Sequence, residues 1–222
     1  MNLTKKLRNV LGFLLVFGPA LFLIFISTRG CAHKFKTLDD YGALKNYSFT
    51  DSRGKLRHAN EFRGEVVLIT TLQKSCPWDC SVSFSRLNLI LYQHIRKNSH
   101  KQLKRVRIIS FITDGKGNPI KDIHVVQQMM AREVEGYDPD LWIVASGDVR
   151  SIYNMEHNKQ TLLQKGEKYY GGEGFQELIL LSDKENHLRM VLKGNQEGLI
   201  RRMKESLALL LKQYDKDRAI RK

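Results

Sequence analysis

The chain has 222 residues, 42% of them hydrophobic, and carries 37 Lys and Arg against 23 Asp and Glu for a formal net charge of +14. This composition fits one folded domain with a substantial core plus a short apolar segment, and it excludes a disordered chain or a repeat array. The basic excess is spread along the sequence without a helix-turn-helix, zinc-finger or RNP-type motif, which argues against nucleic acid as partner, and three cysteines are too few for a disulfide framework.

Between Arg8 and Arg29 runs the uncharged stretch NVLGFLLVFGPALFLIFIST. About 20 residues at roughly 1.5 Å each match a hydrocarbon core of about 30 Å, so residues 9–28 are expected to form a single transmembrane anchor. Residues 1–8, with Lys5, Lys6 and Arg8, are then a cytoplasmic N-terminus, and the rest of the chain is extracytoplasmic, on the periplasmic side. A cleaved signal peptide and lipid attachment at Cys31 are the rival readings. The run is long for a cleavable segment and no A-x-A site follows it. Thr28-Arg29-Gly30 also lack the small, apolar pattern expected before a lipidated cysteine. Residues 29–44 read as a polar linker, 45–214 as the folded domain and 215–222 as a polar tail.

Tyr47-Ser48-Phe49-Thr50 and Lys55-Leu56-Arg57 flank Asp51-Ser52-Arg53-Gly54, a hairpin signal. EVVLITTL (65–72) and VRIISFIT (106–113) are continuous β-branched apolar runs, as expected for strands buried on both faces. Between them, Phe84, Leu87, Ile90, Leu91 and Ile95 recur at helical spacing up to about Arg96. A loop at 114–119 precedes a helix over 120–135, a short strand at 141–144, and a short helix capped by Asp148. ELILLS (177–182) and HLRMVL (187–192) form a strand pair, and Leu199, Ile200, Met203, Leu207, Leu210 and Leu211 mark one face of a last helix. The alternation predicts a mixed α/β sandwich. Its order is that of an elaborated thioredoxin fold, with Cys76 and Cys80 in the crevice past the carboxyl ends of the strands.

The spacing around these cysteines carries chemistry. Pro77 suits the first helical position, which makes Cys76 the cap residue, facing the positive end of the helix. A thiolate is stabilised there, so Cys76 is the expected attacking thiol and Cys80 the resolving one, with Lys74 helping and Asp79 opposing. On a regular helix, residues four apart have Cβ atoms about 5–6 Å apart, more than the roughly 3.5–4.5 Å that a disulfide wants. Two thiolates on one side are also the soft donor set that selects Cu(I). Redox exchange and metal binding are both available. The alternative is a pair of inert, buried cysteines.

Phe62-Arg63-Gly64-Glu65-Val66-Val67-Leu68-Ile69 followed by Cys76-Pro77-Trp78-Asp79-Cys80 resembles the Sco/SenC family. The resemblance covers most of residues 45–213, including TDSRGKLRHANEFRG, Asp114, Gly147-Asp148 and LILLSDKENHLR. It implies a thioredoxin fold on one N-terminal anchor, handling copper and thiols in assembly of the CuA centre of cytochrome c oxidase. The family's metal set is the C-x3-C pair plus a histidine shortly before the penultimate strand. Here Phe175 stands where that histidine is expected, and Ser81 replaces the usual proline after the second cysteine. Glu173 and His157 are the substitute ligands within reach of sequence reasoning. Trp78 reads equally as a docking aromatic or a local lid. His58, His94, His124 and His187 show no ligand spacing, and Met129, Met130 and Met203 read as core positions.

Two functions follow. One is a membrane-anchored thiol–disulfide oxidoreductase acting on extracytoplasmic partners in respiratory or envelope assembly, with Cys76 and Cys80 as catalytic thiols. The other is a Cu(I) metallochaperone that holds copper on the same two thiols for a cytochrome c oxidase subunit. Peroxide reduction is a third, lacking the expected Thr/Ser-x-x-Cys setting with a partnering Arg.

Overall fold

The computed structural model describes residues 3–30, 37–74, 82–100, 103–154, 156–157, 160–161 and 176–220. The chain divides into two units, 1–36 and 37–222. In the first, Leu3–Gly30 forms helix α1. Among the described residues no helix is long and apolar enough to cross a membrane. Pro19 also removes a backbone donor from the interior of the helix. The transmembrane anchor over 9–28 is therefore corrected. With it go the single-pass topology, the membrane as partner and the extracytoplasmic, periplasmic-side placement.

The second unit begins its sheet with the expected hairpin, β1 (Ser48–Asp51) against β2 (Leu56–His58). Asp51 sets the turn, its carboxylate accepting the amides of Arg53 (2.9 Å) and Lys55 (3.0 Å). Gly54 sits at φ 77°, a left-handed conformation that only a residue without Cβ adopts at no cost. A 3-10 turn, Ala59–Phe62, then leads into β3 (Val66–Gln73).

Past the next segment comes one helical run in three parts: α2 (Phe84–Arg86), a π-helical stretch (Leu87–Tyr92) and α3 (Gln93–Asn98). The Gln93 amide reaches back five residues to the Asn88 carbonyl, the widened turn that defines the stretch. Hydrophobic spacing does not reveal it, because Leu87, Leu91 and Ile95 are buried here as they would be in a regular helix. Tyr92 is buried beside them and fastens the run to the next loop. Its hydroxyl donates to the Gly136 carbonyl (2.6 Å) and accepts from the Asp138 amide (2.8 Å).

The chain continues through β4 (Val106–Thr113), α4 (His124–Glu133), β5 (Trp142–Ser146) and α5 (Arg150–Tyr153). A two-stranded ribbon follows, β6 (Glu156–His157) with β7 (Gln160–Thr161). The closing elements are β8 (Leu178–Ser182), β9 (Leu188–Lys193) and helix α6 (Glu197–Ile220). The cap of the short helix is Val149 rather than the expected Asp148, whose carboxylate accepts the Arg150 amide at 3.1 Å.

The main sheet has seven strands in the order β2-β1-β5-β4-β3-β8-β9. Strands β3, β4 and β5 are parallel, while β8 runs antiparallel to β3 and to β9. A parallel β-helix-β unit, extended across β3 by an antiparallel hairpin and closed by a helix, makes this a thioredoxin-like mixed α/β fold. The unbroken apolar runs are explained by two core layers. Leu68, Leu72, Ile108 and Ile112 face the helices, together with Met130, Ile200 and Met203. Val67, Ile69, Ile109 and Phe111 face the opposite side with Phe49, Phe62 and Tyr153. With both faces covered, neither face of β3 or β4 tolerates a polar side chain without a partner. The buried hydroxyls obey this: Thr70 and Ser110 pair at 2.7 Å, and the Trp142 indole donates to Ser110 at 2.8 Å.

Residues 38–44 lie along the start of β9. The Tyr41 amide donates to the Leu188 carbonyl, the Leu188 amide to Gly42, and the Leu44 amide to Asn186, each at 2.9 Å. Asp40 closes this strap on His187, its carboxylate 3.0 Å from Nδ1, with Arg189 at 3.6 Å. The hydrogen bond to Asp40 holds the His187 imidazolium above its ordinary value of 6.5. The same bond, with the Gly42 amide, holds Asp40 below 3.8. A raised histidine contributes stability below its unfolded pKa that is lost as pH rises through the folded value; a lowered carboxylate contributes above its unfolded pKa and loses it as pH falls. The stability difference between wild type and His187→Gln is therefore expected to be largest between 3.8 and 6.5 and to shrink on either side in denaturant titrations across pH. A difference that is flat across that range rules out the clasp.

Candidate functional site

The two ends of the cysteine-bearing segment are each fixed by the sheet. Gln73 pairs with Thr113 across the parallel strands, and the Lys74 amide donates to the Thr113 carbonyl at 3.1 Å. Lys74 thus stands at the carboxyl end of β3, where an open α/β sheet forms its functional crevice. On the far side, Val82 is buried in the helix-facing core. The Ser83 amide donates to the Gly194 carbonyl (3.1 Å), and the Ser83 carbonyl accepts the Leu87 amide (2.9 Å).

Gly194 allows this approach because it has no side chain. A Cβ there would lie 2.7 Å from both methyls of Val82. The corner is further tied by the Gly194 amide on the Glu177 carbonyl (2.6 Å) and by the Asn195 amide nitrogen on the Glu177 carboxylate (3.1 Å). The Arg86 guanidinium donates to the Asn195 carbonyl at 2.5 Å. The start of the helical run is therefore held by the β9–α6 corner.

A third fixed point is Gln176, which is fully buried. Its amide nitrogen faces the Asp114 carbonyl (3.0 Å) and Thr113 Oγ1 (2.5 Å), and its oxygen faces the Gly117 amide (3.2 Å). Its own carbonyl accepts the Thr71 hydroxyl at 2.8 Å. One residue thus joins β3, β4 and the 114–118 loop. That loop is organised by Asp114, whose carboxylate accepts the amides of Lys116 and Asn118 and the Asn118 side chain, each at 2.8 Å. The hydrogen bond from the Asn118 side chain, then the backbone donors, hold the Asp114 carboxyl below its usual value of 3.8.

Between these points opens a cleft of about 810 Å³. Leu72, Ile112, Val82 and Phe84 form its apolar floor, Val125 and Met129 of α4 its outer wall, and Lys74 and Arg86 line it as well.

Cys76 and Cys80, the expected thiol pair and copper ligands, lie outside the described residues, as do Cys31, Trp78, Asp79, Ser81, Glu173 and Phe175. His157 belongs to β6, opposite Gln160, and its side chain is outside the description. His94 is half-buried on α3; burial pushes its pKa below 6.5 and Lys204 adds to the shift. Among the described residues, no group of three or more His, Cys, Asp or Glu could hold a metal ion. Met130 and Met203 are fully buried, but Met129 is 39% exposed rather than a core residue. Sequence reasoning missed Gln176 and Gly194. A glutamine between a glycine-rich stretch and a strand reads as surface, and a glycine after a strand reads as a turn.

No family model matches the chain, and no curated protein matches it. Solved structures do. The chain is similar to a protein of Aquifex aeolicus VF5 named as a candidate electron transfer protein, with 13% identity, 78% of this chain and 98% of that chain covered, and a TM-score of 0.53. It is also similar to a candidate protein disulfide isomerase of Bacteroides thetaiotaomicron, with 12% identity, 80% and 95% covered, and a TM-score of 0.51. The soluble domain of Sco1 from Bacillus subtilis aligns at 18% identity over 80% of this chain and 99% of its own, with a TM-score of 0.46. At these identities the likeness shows the thioredoxin-like fold alone.

The contact between Gly194 and Val82 has a measurable consequence. Gly194→Ala forces the valine and the start of the helical run to shift, an overpacking cost of about 1–3 kcal/mol. A lower midpoint in urea unfolding with an unchanged slope is the expected result; a neutral substitution would mean that the corner does not hold the site.

Proposed function

We propose that this protein exchanges thiols and disulfides with a protein client through Cys76 and Cys80. The observation that carries the reading is the position of the residues flanking them. Lys74 and Val82 are fixed at the carboxyl end of parallel strand β3 and at the head of the following helix. Those two points flank the crevice where α/β sheets do their chemistry. The sequence supplies a C-x3-C pair for the segment between them, with Pro77 suited to a first helical position.

The exchange balances as follows. The Cys76 thiolate attacks one sulfur of the client disulfide; that S–S bond breaks, and the departing client thiolate takes a proton from solvent. Cys80 loses its proton to solvent and displaces the second client thiol from the mixed disulfide. Cys76 and Cys80 end as a disulfide, and two electrons have passed to the client. Lys74, at the end of β3, favours the thiolate form of a neighbouring cysteine by its charge. The corner at Gly194 and Ser83 holds the head of the helical run that follows.

Replacing Cys76 with Ser is expected to abolish reduction of a small model disulfide. Cys80→Ser is expected to stop after the first step, with the mixed disulfide visible by intact-protein mass. Undiminished reduction by the Cys76 variant would sink the reading.

Copper as cargo is the second reading, favoured by the two soft donors and by the Sco/SenC resemblance of residues 45–213. Two thiolates hold Cu(I) without a third ligand, which suits Phe175 at the position where that family carries histidine. On this reading the reduced chain, but not its Cys80→Ser variant, competes with a colorimetric Cu(I) chelator. Equal failure of both removes copper from the function.

A further inference from the structure

We infer that the cleft between the head of α2 and the outer face of α4 receives an extended segment of the client protein, one that presents an apolar side chain beside a carboxylate. The inference deepens the thiol-exchange reading and rests on it.

Helix α4 has more apolar surface than the core uses. Met130, and Val134 just past the helix, are buried against the sheet. Val125 and Met129, one helical turn apart, line the cleft while 54% and 39% exposed. A helix packed on one side requires a single apolar stripe; this second one faces the cleft, whose floor is also apolar at Leu72 and Ile112.

The charge in the cleft is one-sided. Lys74 and Arg86 line it, and no Asp or Glu is among its described lining residues. Arg86 is held in place by the Asn195 carbonyl rather than by a carboxylate. A partner carboxylate supplies the missing charge, and an apolar neighbour fills the floor. The protein as a whole, at +14, attracts acidic partners in the same direction. Lys74 and Val82 both line the cleft and are the described residues nearest in sequence to Cys76 and Cys80. An occupant of the cleft therefore lies against both ends of the thiol segment.

The experiment uses the reduced full-length chain with three substrates: 2-hydroxyethyl disulfide, a peptide disulfide with Leu-Glu beside its cysteine, and the same peptide with Leu-Lys. At low salt the acidic peptide is expected to be reduced about tenfold faster than the basic one, with the gap closing as salt screens the rim. Met129→Glu should lower the ratio of acidic-peptide rate to hydroxyethyl disulfide rate about tenfold, and Val125→Asp should do the same. In parallel, a labelled, cysteine-free form of the acidic peptide should bind by fluorescence anisotropy and lose about tenfold in affinity with Met129→Glu. Equal rates for the two peptides, or ratios that neither variant moves, overturn the docking inference while reduction of hydroxyethyl disulfide leaves thiol exchange standing. If wild type reduces none of the three, thiol exchange falls and this inference falls with it.

Discussion

Everything in the second unit depends on β3 being paired on both edges and covered on both faces. Parallel β4 takes one edge from Val66 to Gln73, and antiparallel β8 takes the other at Val67, Leu68 and Ile69. With every backbone donor needing a partner in so dry an environment, the strand cannot slip by one residue without moving each apolar side chain to the wrong layer. The register therefore fixes where the chain leaves the sheet. It leaves at Lys74, beside Thr113, at the carboxyl end of the strand.

The far end of the segment obeys a different constraint, one of close approach rather than hydrogen-bonded pairing. Val82 enters the helix-facing core against the bare backbone of Gly194, and Ser83 is bonded to the same residue. Gln176 adds a bond from inside, because a fully buried amide must spend its donors and acceptors on protein groups. It spends them on β3, β4 and the loop organised by Asp114. Two strands, a loop and a helix head thus meet around one opening. Lys74 supplies a cation at one rim of that opening, and a helix begins beyond the other.

The opening has two sides with different physics. Behind the cleft, past the ends of β3 and β4, the groups of Gln176, Thr113 and Asp114 are bonded to one another. Towards α4 the cleft is apolar and cationic, with Val125 and Met129 uncovered. Saturated polar groups position a segment, whereas uncovered apolar surface beside unmatched charge invites a partner.

Much of this was legible in the amino-acid sequence, and for local reasons. Apolar runs over 65–72 and 106–113 are short and rich in β-branched residues, as buried strands are, and Asp51-Ser52-Arg53-Gly54 carries its own turn chemistry, so hairpin, strands and the last helix follow from side-chain pattern. The C-x3-C pair is likewise plain in the sequence. The apolar run at 9–28 misled, because hydropathy alone counts residues, while no described helix is long and apolar enough to cross a membrane. The π-helical stretch at Leu87–Tyr92, the approach of Val82 to Gly194, the burial of Gln176 and the exposure of Met129 were decided only by tertiary structure. The π-helical stretch is a backbone detail that side-chain periodicity does not record; the others depend on residues distant in sequence, and periodicity encodes which face of an element is apolar but not which neighbour meets it.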